Sequence, residues 1–255
     1  MTASSHVVGV IPARWASTRL PGKSLVEIAG KPLILHVLDR VRQARRLNAV
    51  IVATDDDRIR RVVEEAGGIV VMTREDHPSG TDRVAEAVAA YPADIVINIQ
   101  GDEPLVDPSL IDRLAGVMID HPQWDMGTAA APILERDDLH APSVVKVVTG
   151  EAGQALYFSR APIPYARDGF PLNPSAIYRR HIGIYAYRRP FLELIVATPP
   201  TQLEEIEKLE QLRALAIGAR MVVIETNDIG IGVDTPADVA TVERLLAGGA
   251  GGGED

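Results

Sequence analysis

Short, fully apolar runs alternate with amphipathic segments through the first half of the chain. Val7-Val8-Gly9-Val10-Ile11 reads as a buried strand, ended by Pro12. Residues 32–44 read as a helix: Pro32 suits a first turn, and Leu33, Leu35, Val37, Leu38 and Val41 supply a broad apolar face. Ala49–Thr54 is a second apolar run. The acidic turn Asp55-Asp56-Asp57 then opens a helix to about Ala66, where Gly67-Gly68 stops it. Ile69–Met72 predicts a third strand, 81–91 a helix, 94–99 a strand and 108–121 a further helix. Strands that are apolar on both faces, alternating with helices, predict an α/β fold with a mostly parallel central sheet.

The second half is less regular. Residues 126–133, 144–149 and 180–187 read as strands. Between them, 160–177 carries Pro162, Pro164, Pro171 and Pro174 and reads as an exposed excursion, a functional loop or an oligomer contact. Thr201-Gln202-Leu203-Glu204 is a capping box that opens a helix to about Ile217. Met221–Glu225 predicts a late strand, and Thr235-Pro236 opens a last helix ending near Leu246. Residues 248–255 are glycine-rich and are expected to be a disordered tail. No repeat or linker of shifted composition divides the chain. The expectation is therefore one domain over 1–247, with about 155–187 as a smaller inserted or appended subregion.

Composition narrows the chemistry. The 255 residues carry 26 Lys plus Arg against 35 Asp plus Glu, a formal charge of −9, and no cysteine. Missing thiols exclude disulfide scaffolds, Cys-ligated zinc, iron–sulfur clusters and thiol catalysis. The acidic balance and an aromatic content of only 4% argue against nucleic-acid polymers, which need a basic face and stacking platforms. The polar start and the lack of any long apolar run predict a cytoplasmic protein with no membrane partner.

Against this acidic background the segment from Pro12 to Lys23 is basic, with Arg14, Arg19 and Lys23 and no acid. It follows the first strand, where open parallel sheets bind ligands. Its small residues, Ala13 among them, let backbone amides approach an anion. Three cations within ten residues suit a polyphosphate, Arg through bidentate contacts. The pattern is neither a Walker loop nor a dinucleotide fingerprint. Gln100-Gly101-Asp102-Glu103-Pro104 follows another strand, which places Asp102 to ligate Mg²⁺ together with substrate phosphates; Glu103 reads better as a helix cap. In Gly230-Ile-Gly-Val-Asp234-Thr-Pro236, Asp234 reads either as the cap of the last helix or as a metal ligand. His77-Pro78-Ser79-Gly80-Thr81-Asp82-Arg83 is a polar turn able to read a base edge, or a cap through Ser79 or Thr81.

The run from Ile11 to Lys23 resembles the signature of the cytidylyltransferases that activate acidic sugars. The resemblance continues through 77–83, 100–104, Val144-Val-Lys-Val-Val148, Ala155-Leu-Tyr-Phe-Ser-Arg160, Arg180-His-Ile-Gly-Ile-Tyr-Ala-Tyr187, Leu209-Glu-Gln-Leu-Arg213 and 232–236. It spans about 7–246, in order. Trp15 stands where Tyr is usual, and 166–177 matches poorly. The resemblance implies a Rossmann-like nucleotidyltransferase fold, a homodimer, and transfer of CMP from CTP to the anomeric hydroxyl of a 3-deoxy-2-ulosonic acid (Kdo), with Mg²⁺. It implies that Arg14, Arg19 and Lys23 hold the triphosphate, Lys23 also stabilising charge as pyrophosphate leaves, and that Pro12 and Ala13 contact CTP. His77, Ser79, Gly80 and Arg83 would border the nucleoside, with Ser79 on the base, and Asp102 and Asp234 would ligate the metal. Arg19, Gln100, Arg160, His181, Tyr185, Glu210 and Gln211 would line the sugar, with Gln100 also near CTP. His181 and Tyr185, four apart on a strand, point to one face. The alternatives are the same reaction on another ulosonic or sialic acid, and a silent nucleotide-binding regulator. The second alternative would have lost a phosphate-loop cation or a metal carboxylate, and this chain keeps them all.

Overall fold

The computed structural model describes residues 5–16, 20–169, 171 and 173–249. In chain order the elements are β1 (Val7–Ala13), the two-residue hairpin strands β2 (Glu27–Ile28) and β3 (Lys31–Pro32), α1 (Leu33–Val41), β4 (Ala49–Thr54), α2 (Asp57–Glu65), β5 (Ile69–Met72), α3 (Gly80–Ala87), β6 (Ile95–Asn98) and α4 (Pro108–Asp120). Then follow β7 (Met126–Pro132), α5 (Arg136–His140), β8 (Lys146–Thr149), β9 (Ala155–Ser159), β10 (Arg179–Arg188), α6 (Arg189–Ala197), α7 (Gln202–Glu207), α8 (Gln211–Ala216), β11 (Met221–Glu225) and α9 (Pro236–Gly249). The chain gathers into two compact units, Met1–Asp112 with Gly230–Asp255, and Arg113–Ile229. Among the described residues, no helix is long and apolar enough to cross a membrane.

The first unit carries the alternating pattern read from the sequence. Its sheet runs β6-β1-β4-β5, all parallel, with Val8 opposite Ala49 on one side of β1 and Val7 opposite Ile95 on the other. Val8, Val10, Ile11, Ile51, Val52, Ile95 and Ile97 are fully buried, as are Leu33, Ile34, Val37, Leu38 and Val41 of α1. Each contributes about 1.5–3 kcal/mol relative to exposure. Asp56 caps α2, its carboxylate accepting from Arg58 N at 2.8 Å.

In the second unit β7 lies between β10, antiparallel, and β11, parallel, and β8 pairs antiparallel with both β9 and β10. Partway along β10 the register slips: Ile182 opposes Ala129, yet Tyr185 opposes Thr128. Two residues, Gly183 and Ile184, are therefore bulged out of the ladder. Lys146 of β8 is fully buried, and its ammonium donates to the carbonyls of Ala141, Val144 and Arg160 at 3.0, 2.6 and 2.6 Å. Three donors thus meet three acceptors, as a buried cation requires.

Two sequence expectations fail here for identifiable reasons. The helix expected from Thr201 to Ile217 starts on its capping box but breaks into α7 and α8 at Lys208, whose φ of 54° is left-handed. The exposed carbonyls at that break are taken by the guanidinium of Arg160. The last helix continues through Gly248 to Gly249, because glycine is tolerated in a final turn; the remainder of the expected tail, 250–255, lies outside the described residues.

Candidate active site

β1 delivers Pro12 and Ala13 to the start of the basic loop, and Arg14 follows with its side chain exposed. Trp15 closes that loop on itself. Its backbone N–H donates to Asp55 at 3.3 Å, the Arg58 guanidinium lies 3.2 Å over the ring, and Gly22 N–H donates to its carbonyl at 3.3 Å. Gly22 has φ 68°, and a Cβ there would stand 2.7 Å from the indole, so only glycine fits. Arg19 lies outside the described residues. Gly22 is followed by a single turn of 3-10 helix, Lys23–Leu25, which aims Lys23 inward.

The ammonium of Lys23 lies 2.6 Å from Asp102 and 2.9 Å from Asp234. Three segments far apart in sequence meet there. Asp102 is brought in by a turn packed tightly on β1: a Cβ at Gly101 would stand 2.6 Å from the carbonyl oxygen of Pro12. The Asp102 carbonyl then accepts from Val233 N at 2.9 Å, tying it to the segment that carries Asp234. Asp234 does not cap α9. Thr235 and Asp238 do so reciprocally, Asp238 accepting from Thr235 N at 2.8 Å and Thr235 Oγ1 from Asp238 N at 3.4 Å. Glu103 is likewise not the cap of α4; Asp107 is, accepting from Ser109 N at 2.9 Å. Burial pulls the Lys23 ammonium down, but the charges and hydrogen bonds of Asp102 and Asp234 outweigh it and leave Lys23 above the ordinary lysine value.

Two partly exposed carboxylates converging on one point are the kind of donor set a protein offers to magnesium when phosphate oxygens and water complete the shell. Among the described residues no group of three or more His, Asp or Glu could hold a metal unaided. The donor set therefore fits a cation shared with a phosphorylated ligand.

The 77–83 turn reaches the same loop, since a Cβ at Gly80 would touch Pro12 at 3.8 Å. Ser79 acts as the N-cap of α3, accepting from Asp82 N and donating to the Asp82 carboxylate at 2.6 Å. Arg83 is buried, its guanidinium donating to Asp55 at 2.7 Å and Thr73 at 2.6 Å, so it braces the ends of β4 and β5. His77 Nε2 lies at ion-pair distance, 2.6 Å, from Glu86. Gln100 is half-buried just beyond β6.

In the second unit, three of the residues expected on the sugar, His181, Tyr185 and Gln211, meet at β10. The rings of His181 and Tyr185 lie 5.4 Å apart, and Tyr185 OH donates to Gln211 Oε1 at 3.3 Å. Gln211 is buried, and its Nε2 has no hydrogen-bond partner among the described residues. Glu210 immediately precedes α8. Burial pushes His181 down to about 3, so it is neutral at working pH. Arg160 is engaged differently: its guanidinium donates to the carbonyls of Glu207 at 2.7 Å, Pro142 at 2.9 Å and Lys208 at 3.4 Å. It thereby shapes the turn that leads into Glu210 and Gln211. The sequence reading placed Thr235 at the start of the last helix but gave no role to Thr128, Glu207 or Asp238. Of these only Asp238 left a signal, a Thr-x-x-Asp spacing at a helix start.

A family model described as cytidylyltransferase matches residues 8–224. The chain is 48% identical over 249 residues to the 3-deoxy-manno-octulosonate cytidylyltransferase of Geobacter sulfurreducens, covering 94% of this chain and 99% of the relative. It is 49% identical over 247 residues to the protein of the same name from Anaeromyxobacter dehalogenans, covering 96% and 99%. A solved structure of CMP:2-keto-3-deoxy-manno-octonic acid synthetase complexed with CTP superposes with a TM-score of 0.91 at 44% identity, over 96% of this chain and all of that one. Basic loop, paired carboxylates and full-length similarity agree, and the chain belongs to the cytidylyltransferase family, among its 3-deoxy-manno-octulosonate cytidylyltransferases.

Proposed function

We propose that this chain transfers CMP from CTP to the anomeric hydroxyl of Kdo, forming CMP-Kdo and releasing pyrophosphate. The observation that carries the reading is the meeting of Lys23, Asp102 and Asp234 at the end of the basic loop. The anomeric oxygen attacks the α-phosphorus in line, its proton leaves to solvent, and the bond from that phosphorus to the departing pyrophosphate breaks. The acceptor brings its own nucleophile, so a chain without cysteine is sufficient.

Asp102 and Asp234 would hold Mg²⁺, which supplies neutralisation of phosphate charge and polarisation of the attacking hydroxyl. Arg14, Arg19 and Lys23 hold the triphosphate, and Lys23 offsets charge that builds on the leaving pyrophosphate. Pro12, Ala13, His77, Ser79, Gly80, Arg83 and Gln100 form the wall of the nucleotide site. His181, Tyr185, Glu210 and Gln211 line the acceptor site, and Arg160 supports it. The active species is a cytoplasmic homodimer that pairs through 155–187, so light scattering should return twice the chain mass. Pyrophosphate release from CTP and Mg²⁺ with a panel of acceptor sugars tests the reaction. Release with Kdo supports it, release only with another ulosonic or sialic acid reassigns the acceptor, and release with none refutes it.

A further inference from the structure

His181 is fixed from two sides. Phe158 meets its ring edge-on, with centroids 5.0 Å apart and planes at 81°. Its Nε2 lies 3.0 Å from Thr128 Oγ1. Thr128 is fully buried, which excludes solvent as an alternative partner. The same hydroxyl stands 2.8 Å from the Ile184 carbonyl and 3.2 Å from that of Ile182, the two carbonyls that the β10 bulge turns toward β7.

A hydroxyl has one proton, and a carbonyl can only accept. If Thr128 donated to Nε2, its lone pairs would face two carbonyl oxygens across 2.8 and 3.2 Å. With its proton on the nearer carbonyl, that of Ile184, Thr128 accepts from Nε2, and only the longer contact with the Ile182 carbonyl is left without a proton. Nε2 then carries the imidazole hydrogen and Nδ1 keeps its lone pair. The geometry points to Thr128 as a positioning residue: it holds His181 in the Nε2–H tautomer, so that Nδ1 accepts a hydrogen bond from a hydroxyl of the acceptor sugar and does not pair with its carboxylate. This deepens the proposed function and rests on the reading that His181 lines the acceptor site. Burial works in the same direction, since a neutral ring cannot serve as a counter-ion.

The test compares Thr128→Val, which keeps the shape and removes the hydroxyl, with Thr128→Ser, which keeps the hydroxyl. Nitrogen-15 spectra of histidine-labelled protein without ligand report the tautomer directly. Wild type and T128S should show a protonated Nε2 and an unprotonated Nδ1, and T128V a mixture, because an unpaired buried donor is costly. In steady-state assays T128V should raise the KM for the acceptor roughly tenfold, the value of one hydrogen bond, with the KM for CTP unchanged and T128S near wild type. Among singly deoxygenated acceptors, the one lacking the hydroxyl read by His181 should lose the T128V penalty. A protonated Nδ1 in the wild type overturns the tautomer lock, and an unchanged acceptor KM in a T128V protein whose tautomer has shifted overturns its role in binding. A wild-type enzyme that turns over no ulosonic acid refutes the proposed reaction and the hydroxyl contact with it, while the spectra still decide the lock. Should T128V fold poorly, a T128S protein with a mixed tautomer would also overturn the proposal.

Discussion

Asp102 and Asp234 share a single ammonium, that of Lys23, at 2.6 and 2.9 Å. Removing the cation leaves two carboxylates facing each other and the leaving group without its neutralising charge. Lys23→Met should lower turnover roughly 10²–10³-fold, as loss of a charge-stabilising group does. The unfolding midpoint should change little, because the three side chains are partly exposed. Turnover within a few-fold of wild type would remove Lys23 from the reaction.

The carboxylates are separable from the fold in the same way. Asp102→Asn and Asp234→Asn should each abolish pyrophosphate release while circular dichroism and melting stay near wild type, since Thr235 and Asp238 cap α9 without Asp234. Chelation of divalent cations should stop the wild-type reaction and added Mg²⁺ should restore it. Persistence of turnover in excess chelator would refute the assignment of the pair as metal ligands.

Arg160 distinguishes a supporting role from a purely sugar-binding one. Its guanidinium satisfies three carbonyls, at Pro142, Glu207 and Lys208. Arg160→Met should cost about 1.5–3 kcal/mol of stability, the range for hydrogen bonds to a charged group, and should raise the KM for the acceptor as the turn before Glu210 loosens. A residue that served the sugar alone would leave the denaturation midpoint in place.

Glu204 should contribute to acid sensitivity. Its carboxylate pairs bidentately with Arg213 at 2.8 and 2.5 Å, and both side chains are about nine-tenths buried. Burial pushes Glu204 up, but the bonds from Arg213 and Thr201 N outweigh it and hold the group below the usual glutamate value. A lowered folded-state pKa gives stability that is present above the unfolded value and is lost as pH falls through the lowered one. Glu204→Gln should therefore cost about 3–5 kcal/mol at neutral pH, leaving Arg213 buried without its partner. Its stability should also fall less steeply than wild type in the acid range. Parallel denaturant titrations of the two proteins at several pH values check both.

Strands β1, β4 and β6 were legible because each is a continuous, largely buried apolar run with glycine, proline or acidic turns between, and β5, exposed at both ends, was legible from its apolar run alone. The second unit was harder to read. Nothing in the composition of Lys208 announces a left-handed backbone, and the Arg160 that stabilises it is far away in sequence. His181 and Tyr185 illustrate the same limit. Four residues along a regular strand span about 13 Å, yet the rings lie 5.4 Å apart. They share a face because the bulge removes two residues from the ladder, an even number that preserves the alternation. The sequence pattern gave the correct face but no hint of the closeness. Ser79, by contrast, presented two readings in sequence, and the structure shows the capping one in place.

The cluster at the end of the basic loop also has a sign. One ammonium and two carboxylates give the cluster a formal charge of −1, at the end of a loop that is purely cationic in sequence. On the proposed function, the two carboxylates there would oppose a bare nucleotide triphosphate that the arginines of the loop attract, and a divalent ion arriving with the nucleotide would relieve that opposition. On that reading the pair of carboxylates would favour the metal-bound form of the nucleotide before any base or sugar is read.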